Sequence, residues 1–318
     1  MPDIPTTEHC YRHPDRETAV HCSNCGRPVC YECMTPAPVG FRCPECMAAQ
    51  RRSAGSGLRA RVVTRQQTRS RWQRSAYAGG SGLTATKVLV AINVLVFAVE
   101  LATGAGSLSL TGAGSGAALQ RMGALAPYDV LVAHQYWRMV TVMFLHLDLL
   151  HIGFNMWALW VIGPYVEAAL GRLKFLVLYL VAGLAASVLI LYASPPYALT
   201  AGASGAIFGV FGALAIYAFI NRKRDVASRA ILGNIVFLLI LNLAFTFGVG
   251  GISWQGHIGG LVGGTALMGG YMLLGRKSPG GRFTSSDIVV TVAALGLIVV
   301  LTYAKVQAPT LAALIRWP

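Results

Sequence analysis

Residues 201–212 read AGASGAIFGVFG, and residues 255–264 read QGHIGGLVGG. Both stretches are mostly apolar and contain no Asp, Glu, Lys or Arg, and small residues recur in them every three or four positions. This spacing lets the backbones of two membrane helices approach closely. One stretch carries the hydroxyl of Ser204 and the other the imidazole of His257, and such polar side chains are costly within a membrane. The two stretches therefore predict a tightly packed pair of membrane helices with reactive side chains.

The composition of the whole chain also indicates a membrane protein. Of its 318 residues, 55% are hydrophobic and 12% are charged, and the mean hydropathy is +0.57. These values exclude a wholly soluble globular protein, a disordered chain and a secreted disulfide scaffold. Seven stretches have the length and apolarity of membrane helices, at residues 86–103, 149–167, 173–193, 203–221, 230–248, 255–274 and 287–305. We therefore predict an all-α polytopic membrane protein with a polar N-terminal extension.

The distribution of basic residues predicts how the chain crosses the membrane. With a cytoplasmic N-terminus, all but four of the 26 Lys and Arg residues lie on the cytoplasmic side, the exceptions being Arg121, Arg138, Lys305 and Arg316. This asymmetry follows the positive-inside rule. No apolar signal-peptide core follows the start of the chain, which agrees with that orientation. We expect a multi-pass protein of the plasma membrane with an external C-terminus and a Gly-rich external segment at 104–148. The excess of Arg over Lys indicates a bacterial source.

Three predicted helices carry polar side chains at a similar depth. Asn155, Ser204 and His257 each lie about 25–28 Å, measured along the helix, from the basic residue that follows their span. That distance places an amide, a hydroxyl and an imidazole near the outer edge of a hydrocarbon core about 30 Å thick. A single membrane histidine is more often an interhelical hydrogen-bonding residue, but agreement among three helices favours a site. A serine beside an imidazole forms a nucleophile with its general base.

His151 and Asn155 are four residues apart and so share one helix face. Hydrogen-bond donors at that position could stabilise an oxyanion.

The combined motifs resemble those of the rhomboid intramembrane serine proteases. The matching segments are His146-x4-His151-x3-Asn155, Gly202-Ala203-Ser204-Gly205, Gly256-His257-x2-Gly260-x3-Gly264, Trp137-Arg138 and Gly163-x3-Glu167. They occur in the family's order over about residues 86–275. The resemblance implies a six-helix rhomboid-type bundle, to which this chain adds a seventh, C-terminal helix.

The resemblance also implies roles for individual residues. Ser204 is the expected nucleophile and His257 the expected base, with no catalytic cofactor, while His151, Asn155 and the backbone N–H of Ser204 form the oxyanion hole. Phe208 occupies the position of an aromatic ring that stacks on the catalytic histidine. The remaining matched residues are expected to support the site: His146, Trp137, Arg138, Glu167, Gly202, Gly205 and Gly260. No acidic residue is placed to orient His257, so we expect a dyad and not a triad.

Four of these supporting residues also have simpler interpretations. Trp137 and Arg138 are residue types that commonly anchor helices at the membrane interface. His146 is interpreted as shaping the loop below the site, and Glu167 as satisfying polar groups near the inner face.

All seven cysteines lie in the first 46 residues, in CxxC or CxxH pairs. Seven thiolates and one imidazole complete two tetrahedral zinc sites, and the reducing cytoplasm disfavours disulfides. The pattern resembles a B-box-type zinc finger, in which we expect cross-braced pairing. One site would use Cys10, His13, Cys30 and Cys33, and the other Cys22, Cys25, Cys43 and Cys46. His9 and His21 are competitors of His13, although the CxxH spacing favours His13. Fully ligated zinc is structural, so this region is interpreted as a binding module with an unidentified cytoplasmic partner.

The predicted domain boundaries follow these motifs. Residues 1–47 form the zinc module, 48–85 an Arg-rich linker, 86–275 the protease core, and 276–318 the seventh helix and an external tail. The basic stretch 51–74 is either a solvated linker or a segment that rests on anionic lipid. Nucleic-acid binding is not expected, because few aromatic residues lie among the arginines.

The predicted function is that of a serine endopeptidase of the 3.4.21 class. Its substrates would be membrane proteins, cleaved in or next to a transmembrane segment. The alternative is a catalytically silent rhomboid-like protein that binds membrane clients, but the presence of both Ser204 and His257 argues against it. A transporter is disfavoured, since the chain has no inverted repeat or intramembrane acidic pair.

Overall fold

The computed structural model describes residues 8–37, 39–50, 52, 83–109, 114–223, 226–248, 251–275 and 282–308. The chain divides into two compact units, residues 1–72 and 73–318. Residues 53–82 of the predicted linker lie outside the described residues, so its contact with anionic lipid stays a prediction.

The first unit is built from short strands held around buried cysteines. Strand β1 (Glu8–Cys10) pairs antiparallel with β2 (His13–Thr18), β3 (Thr35–Pro36) pairs antiparallel with β4 (Phe41–Arg42), and a short helix, α1, covers 44–50. Its buried cluster consists of five cysteines and Val29. So small an apolar cluster cannot outweigh the conformational entropy of folding, and domains of this size usually depend on a metal or on disulfides.

Seven long helices make up most of the second unit. They are α2 (Ala85–Ala102), α6 (Leu149–Leu170), α7 (Arg172–Ala193), α8 (Ser204–Asn221), α9 (Val226–Gly248), α10 (Trp254–Leu273) and α11 (Ser285–Gln307). Each coincides with one predicted span to within about four residues. The predicted all-α membrane architecture is confirmed.

Six of these seven helices are long and apolar enough to cross a membrane. The exception, α10, carries His257 and seven glycines, which lower its hydropathy. It packs extensively against α7 and α8, so protein covers much of its surface.

The predicted external segment contains three short helices. These are α3 (Gly116–Met122), α4 (Pro127–Leu131) and α5 (Arg138–Thr141), and a 3₁₀ turn at Val142–Phe144 leads on towards α6. The side chain of Ser115 caps α3 by accepting a hydrogen bond from the N–H of Ala118. Gly123 ends the same helix in the left-handed region, at φ +112°, a conformation that favours glycine.

Helices α7, α8 and α10 pack directly against one another. Within the protein, 61% of the α7 and α8 spans is buried, against 11% for α9 and 17% for α11. The core therefore lies among α7, α8 and α10, with α9 and α11 at the periphery.

Glycines bring α8 and α10 into backbone contact. A Cβ on Gly264 would lie 2.2 Å from the carbonyl oxygen of Gly209, a distance that real Cβ atoms do not adopt. A Cβ on Gly209 itself would lie 2.2 Å from the Cβ of Ala182 in α7 and 2.9 Å from the carbonyl oxygen of Gly260 in α10. Small residues at this junction therefore allow α8 to approach both α7 and α10 closely.

A buried ion pair connects α11 to the bundle. The ammonium of Lys174 on α7 donates to a carboxylate oxygen of Asp287 at 2.7 Å, and both side chains are at most 9% exposed. Asp287 also forms a reciprocal capping box with Thr284 at the start of α11.

Candidate active site

Ser204 and His257 meet at the N-terminal ends of two adjacent helices. Ser204 is the first residue of α8, and His257 lies in the first turn of α10, which is capped by the side chain of Ser253. The Oγ atom of Ser204 lies 2.9 Å from Nε2 of His257. His257 is buried, whereas Ser204 is half-buried. The geometry is that of a hydroxyl hydrogen-bonded to an imidazole that can accept its proton.

The ring of Phe208 lies flat against the His257 imidazole. The two ring centroids are 4.0 Å apart, and the ring planes differ by 12°. Phe208 is one turn after Ser204 on α8, so a single helix supplies both the hydroxyl and the stacking ring. The stacking restricts the imidazole to one plane.

Gly202 lies between Ser204 and His151. A Cβ on Gly202 would lie 2.8 Å from Nε2 of His151 and 3.5 Å from Oγ of Ser204. The φ angle of Gly202 is +140°, in the region that disfavours other residues. The first N–H groups of α8 have no partner within the helix. An oxyanion beside Ser204 would therefore meet both the His151 ring and backbone donors.

Helix α6 positions the His151 ring. The carboxylate of Asp148 accepts the His151 backbone N–H at 2.8 Å and so caps the helix. The backbone N–H of Leu147 donates to Nδ1 of His151 at 3.5 Å, which favours a proton on Nε2, the atom that faces Gly202. The side-chain amide of Asn155 donates to the His151 carbonyl at 2.9 Å. Asp148 was not predicted, although an aspartate three residues before His151 is a helix N-cap signal.

His146 is fully buried beneath this group. Its ring meets that of His151 edge-on, with centroids 5.0 Å apart, and burial lowers the pKa of His146 to about 3, so the imidazole is neutral. Its backbone N–H donates to the buried carboxylate of Glu100 at 2.8 Å. Sequence reasoning did not single out Glu100, although an acidic residue within a predicted span is a usable signal.

Arg138 organises the segment between α2 and α6. Its guanidinium donates to the carbonyl of Ala124 at 2.7 Å and forms an ion pair with Asp129 at 3.7 Å. The same guanidinium lies 4.8 Å from the ring centroid of Trp137, which is half exposed and packs beside Gly123. These contacts all lie within the segment between α2 and α6.

Glu167 joins α6 to the start of α2. Its carboxylate accepts the backbone N–H groups of Ala85 and Thr86 at 2.8 and 2.9 Å and the Thr86 hydroxyl at 2.7 Å. Gly163, one turn earlier, allows this approach, because a Cβ there would lie 2.9 Å from the Thr86 side chain. This geometry agrees with the interpretation that Glu167 satisfies polar groups at that end of the bundle.

A further neighbour of His257 was not predicted. The hydroxyl oxygen of Thr246 on α9 lies 2.7 Å from Nδ1 of His257. The sequence places no acidic partner beside His257, and a threonine within an apolar helix gives no comparable signal.

The first unit brings its eight predicted metal ligands into two groups. One group is Cys10, His13, Cys30 and Cys33, and the other is Cys22, Cys25, Cys43 and Cys46. The Cys30 and Cys33 sulfurs lie 3.3 and 3.4 Å from Nδ1 of His13, and the Cys25 and Cys43 sulfurs lie 3.7 Å apart. Tetrahedral sulfur ligands at about 2.3 Å from an ion lie about 3.8 Å from one another, so both groups fit a four-coordinate metal. His21 instead contacts Glu8 at 2.7 Å.

A comparison with known protein families matches part of the second unit. The model of the Rhomboid domain family matches residues 133–275, which include Ser204 and His257. "Rhomboid protease GluP" of Bacillus subtilis (strain 168) is 33% identical over 232 residues, which are 73% of this chain and 43% of GluP. "Putative rhomboid protease YdcA" of the same organism is 30% identical over 44% of this chain and 70% of YdcA. "Rhomboid protease AarA" of Providencia stuartii is 27% identical over 71% of this chain and 83% of AarA. The chain spans less than half the length of GluP, and about half that of two plant relatives.

Proposed function

The chain belongs to the rhomboid family, and from that premise we propose that it is an intramembrane serine protease. Its substrates are membrane proteins, which it cleaves in or next to a transmembrane segment. The observation that carries the proposal is the 2.9 Å distance between Oγ of Ser204 and Nε2 of His257 in a partly buried setting. A hydroxyl and an imidazole in this geometry are the minimum for nucleophilic attack on a peptide carbonyl.

The first half of the reaction forms an acyl-enzyme. Nε2 of His257 accepts the hydroxyl proton while Oγ of Ser204 bonds to the carbonyl carbon, and the carbonyl π electrons move onto its oxygen. The Ser204 backbone N–H and the side chains of His151 and Asn155 stabilise that negative charge. Collapse of the tetrahedral intermediate breaks the C–N bond, and protonated His257 gives its proton to the leaving amine.

The second half repeats these steps with water. Water attacks the ester carbonyl and gives one proton to Nε2 of His257. Collapse then releases the carboxylic acid and returns the proton to Oγ of Ser204. No metal takes part in this sequence, because protein side chains supply the nucleophile, the base and the oxyanion donors.

We assign a structural role to metal in the first unit. The two groups of four ligands suit zinc, which prefers thiolate and imidazole in tetrahedral sites. Four protein ligands leave no position for water, so the zinc ions would stabilise the module and take no part in hydrolysis. The module is then a cytoplasmic binding domain, and the chain crosses the plasma membrane with its C-terminus outside.

A catalytically silent protein that binds membrane clients is the second candidate. It would share the family fold but would not need a hydroxyl and an imidazole in hydrogen-bond contact. The 2.9 Å pair therefore favours the protease.

Serine-directed labelling tests the proposal. A fluorophosphonate probe should label the wild-type protein, and the protein should cleave a single-span test substrate in detergent or liposomes. Ser204→Ala should lose both labelling and cleavage, and His257→Ala should lose cleavage. Ser286→Ala, which alters another half-buried serine at the start of α11, is the matched control and should behave as wild type. Full activity in either dyad variant would overturn the proposal.

A further inference from the structure

The imidazole of His257 is held at both nitrogens. Nε2 lies 2.9 Å from Oγ of Ser204, and Nδ1 lies 2.7 Å from the hydroxyl oxygen of Thr246. Thr246 is only 4% exposed, although it belongs to the peripheral helix α9. Among the α9 side chains that the structure describes, only those of Ser228, Ile235 and Thr246 are buried. The contact with His257 is therefore an exception on a largely exposed helix.

The direction of these hydrogen bonds follows from the donors available. The Thr246 hydroxyl has one proton, and it donates that proton to the carbonyl oxygen of Asn242 at 2.7 Å, which can only accept. Towards His257 the hydroxyl oxygen is then an acceptor, so Nδ1 must carry the ring proton. A neutral imidazole has one N–H, and Nε2 is consequently free to accept the proton of Ser204.

We propose that Thr246 is a positioning residue that holds His257 in the Nδ1–H tautomer with Nε2 directed at Ser204. The inference rests on the proposed function, because the tautomer matters only if His257 accepts the serine proton. Thr246 would then be a neutral third residue beside the predicted dyad of Ser204 and His257. When Nε2 takes up the proton, Nδ1–H continues to donate to Thr246, so the contact serves the imidazolium as well.

Two contacts therefore fix the ring in different ways. Stacking on Phe208 fixes its plane, with centroids 4.0 Å apart, but leaves the identity of the protonated nitrogen undetermined. The Thr246 hydroxyl distinguishes the two nitrogens, because its oxygen accepts a hydrogen bond from Nδ1 only. Among the described contacts of Nδ1, no other one favours a proton on that atom. Without Thr246 the ring proton could move to Nε2, where it would block proton transfer from Ser204.

Three variants of the full-length protein isolate this hydroxyl. Thr246→Val keeps the shape of the side chain and removes its oxygen, whereas Thr246→Ser keeps the oxygen. Thr302→Val is the matched control, because Thr302 on α11 is also poorly exposed and also donates to a carbonyl one turn earlier, that of Ile298, at 2.8 Å. We expect Thr246→Val to lower kcat by about 10-fold with little change in KM, since a buried donor loses its acceptor. Thr246→Ser and Thr302→Val should stay close to wild type.

The tautomer itself can be measured by ¹⁵N NMR of protein labelled at histidine. His257→Ala identifies the His257 signals by their disappearance. Wild type and Thr246→Ser should show the proton on Nδ1, and Thr246→Val a mixture of both tautomers. A wild-type proton on Nε2 would overturn the proposal whatever the Thr246 variants show. Unchanged kcat and an unchanged tautomer in folded Thr246→Val would also overturn it. Failure of the proposed function is a separate result, namely full cleavage by Ser204→Ala.

Discussion

Gly260 of α10 lies against the backbone of Gly205 in α8, so closely that a Cβ on Gly260 would lie 1.8 Å from the Gly205 carbonyl oxygen. Gly205 directly follows Ser204, and Gly260 lies one turn after His257. The contact between two glycines therefore sets the distance between the proposed nucleophile and base. A carbonyl oxygen cannot move aside as a flexible side chain can, so any larger residue must separate the helices.

Gly260→Ala should disrupt the site through this backbone contact. The added methyl group would push α10 away from α8, lengthen the Ser204–His257 hydrogen bond and lower cleavage at least tenfold. Substituting Gly269 on the same helix provides the control, since a Cβ there meets nothing within 4 Å. Gly269→Ala should retain activity and gain up to about 1 kcal/mol in stability from helix propensity. Equal cleavage rates for the two alanine variants would show that the contact does not position the dyad.

The proposed oxyanion donors should contribute to the rate more than to stability. Removing one such donor typically lowers turnover by about 10²–10³-fold. His151→Ala and Asn155→Ala should therefore cleave a test substrate more slowly than wild type but faster than Ser204→Ala, because the backbone donor is still present. Fluorophosphonate labelling and thermal unfolding of the same samples separate loss of chemistry from loss of fold. Wild-type cleavage rates in both variants would show that His151 and Asn155 contribute only to packing.

Several features of this fold could be predicted from sequence because their signals are local. The long helices follow from runs of apolar residues, and Ser204, His257 and Gly260 lie in short motifs with fixed spacing. The sequence did not predict the residues from other helices that contact His146 and His257. Glu100 and Thr246 reach the site from other helices, and neither has a spacing relationship with the residue that it contacts. Such pairings depend on how helices pack, which the pattern of one helix does not encode.

Glu100 should support the site through the loop that precedes α6. Its buried carboxylate accepts the backbone N–H of His146, so Glu100→Leu would leave that N–H without a partner. We expect a loss of about 1–3 kcal/mol in the free energy of unfolding, together with reduced cleavage. Glu100→Gln keeps an acceptor oxygen of similar shape and should be close to wild type. Equal stability of the Leu and Gln variants in detergent unfolding would show that the hydrogen bond to His146 does not stabilise the protein.

The Lys174–Asp287 pair should stabilise α11 without affecting catalysis. Asp287→Asn would leave the Lys174 ammonium buried without a counter-charge, and breaking a buried pair in this way typically costs about 3–5 kcal/mol. The double variant Lys174→Met with Asp287→Asn removes the uncompensated charge and should recover much of that loss. Lys87→Met, at an exposed position on α2, serves as the control. Thermal unfolding measures the expected changes in stability, and cleavage assays test whether catalysis is unaffected. A double variant less stable than Asp287→Asn would contradict the argument.

Removing metal should unfold the first unit and leave the proteolytic activity of the second unit intact. Each group of four ligands in the first unit fits one tetrahedral zinc, so the purified protein should contain about two zinc ions per chain. Metal binding supplies much of the folding energy of such small modules. A chelator, or Cys22→Ser, should therefore make residues 8–50 sensitive to added protease, whereas His21→Ala, outside both groups, should not.

Fluorophosphonate labelling of Ser204 and cleavage of a test substrate should persist after chelation. Loss of labelling in step with zinc would contradict a metal-free serine mechanism, and loss of cleavage alone would mean that the module controls substrate access.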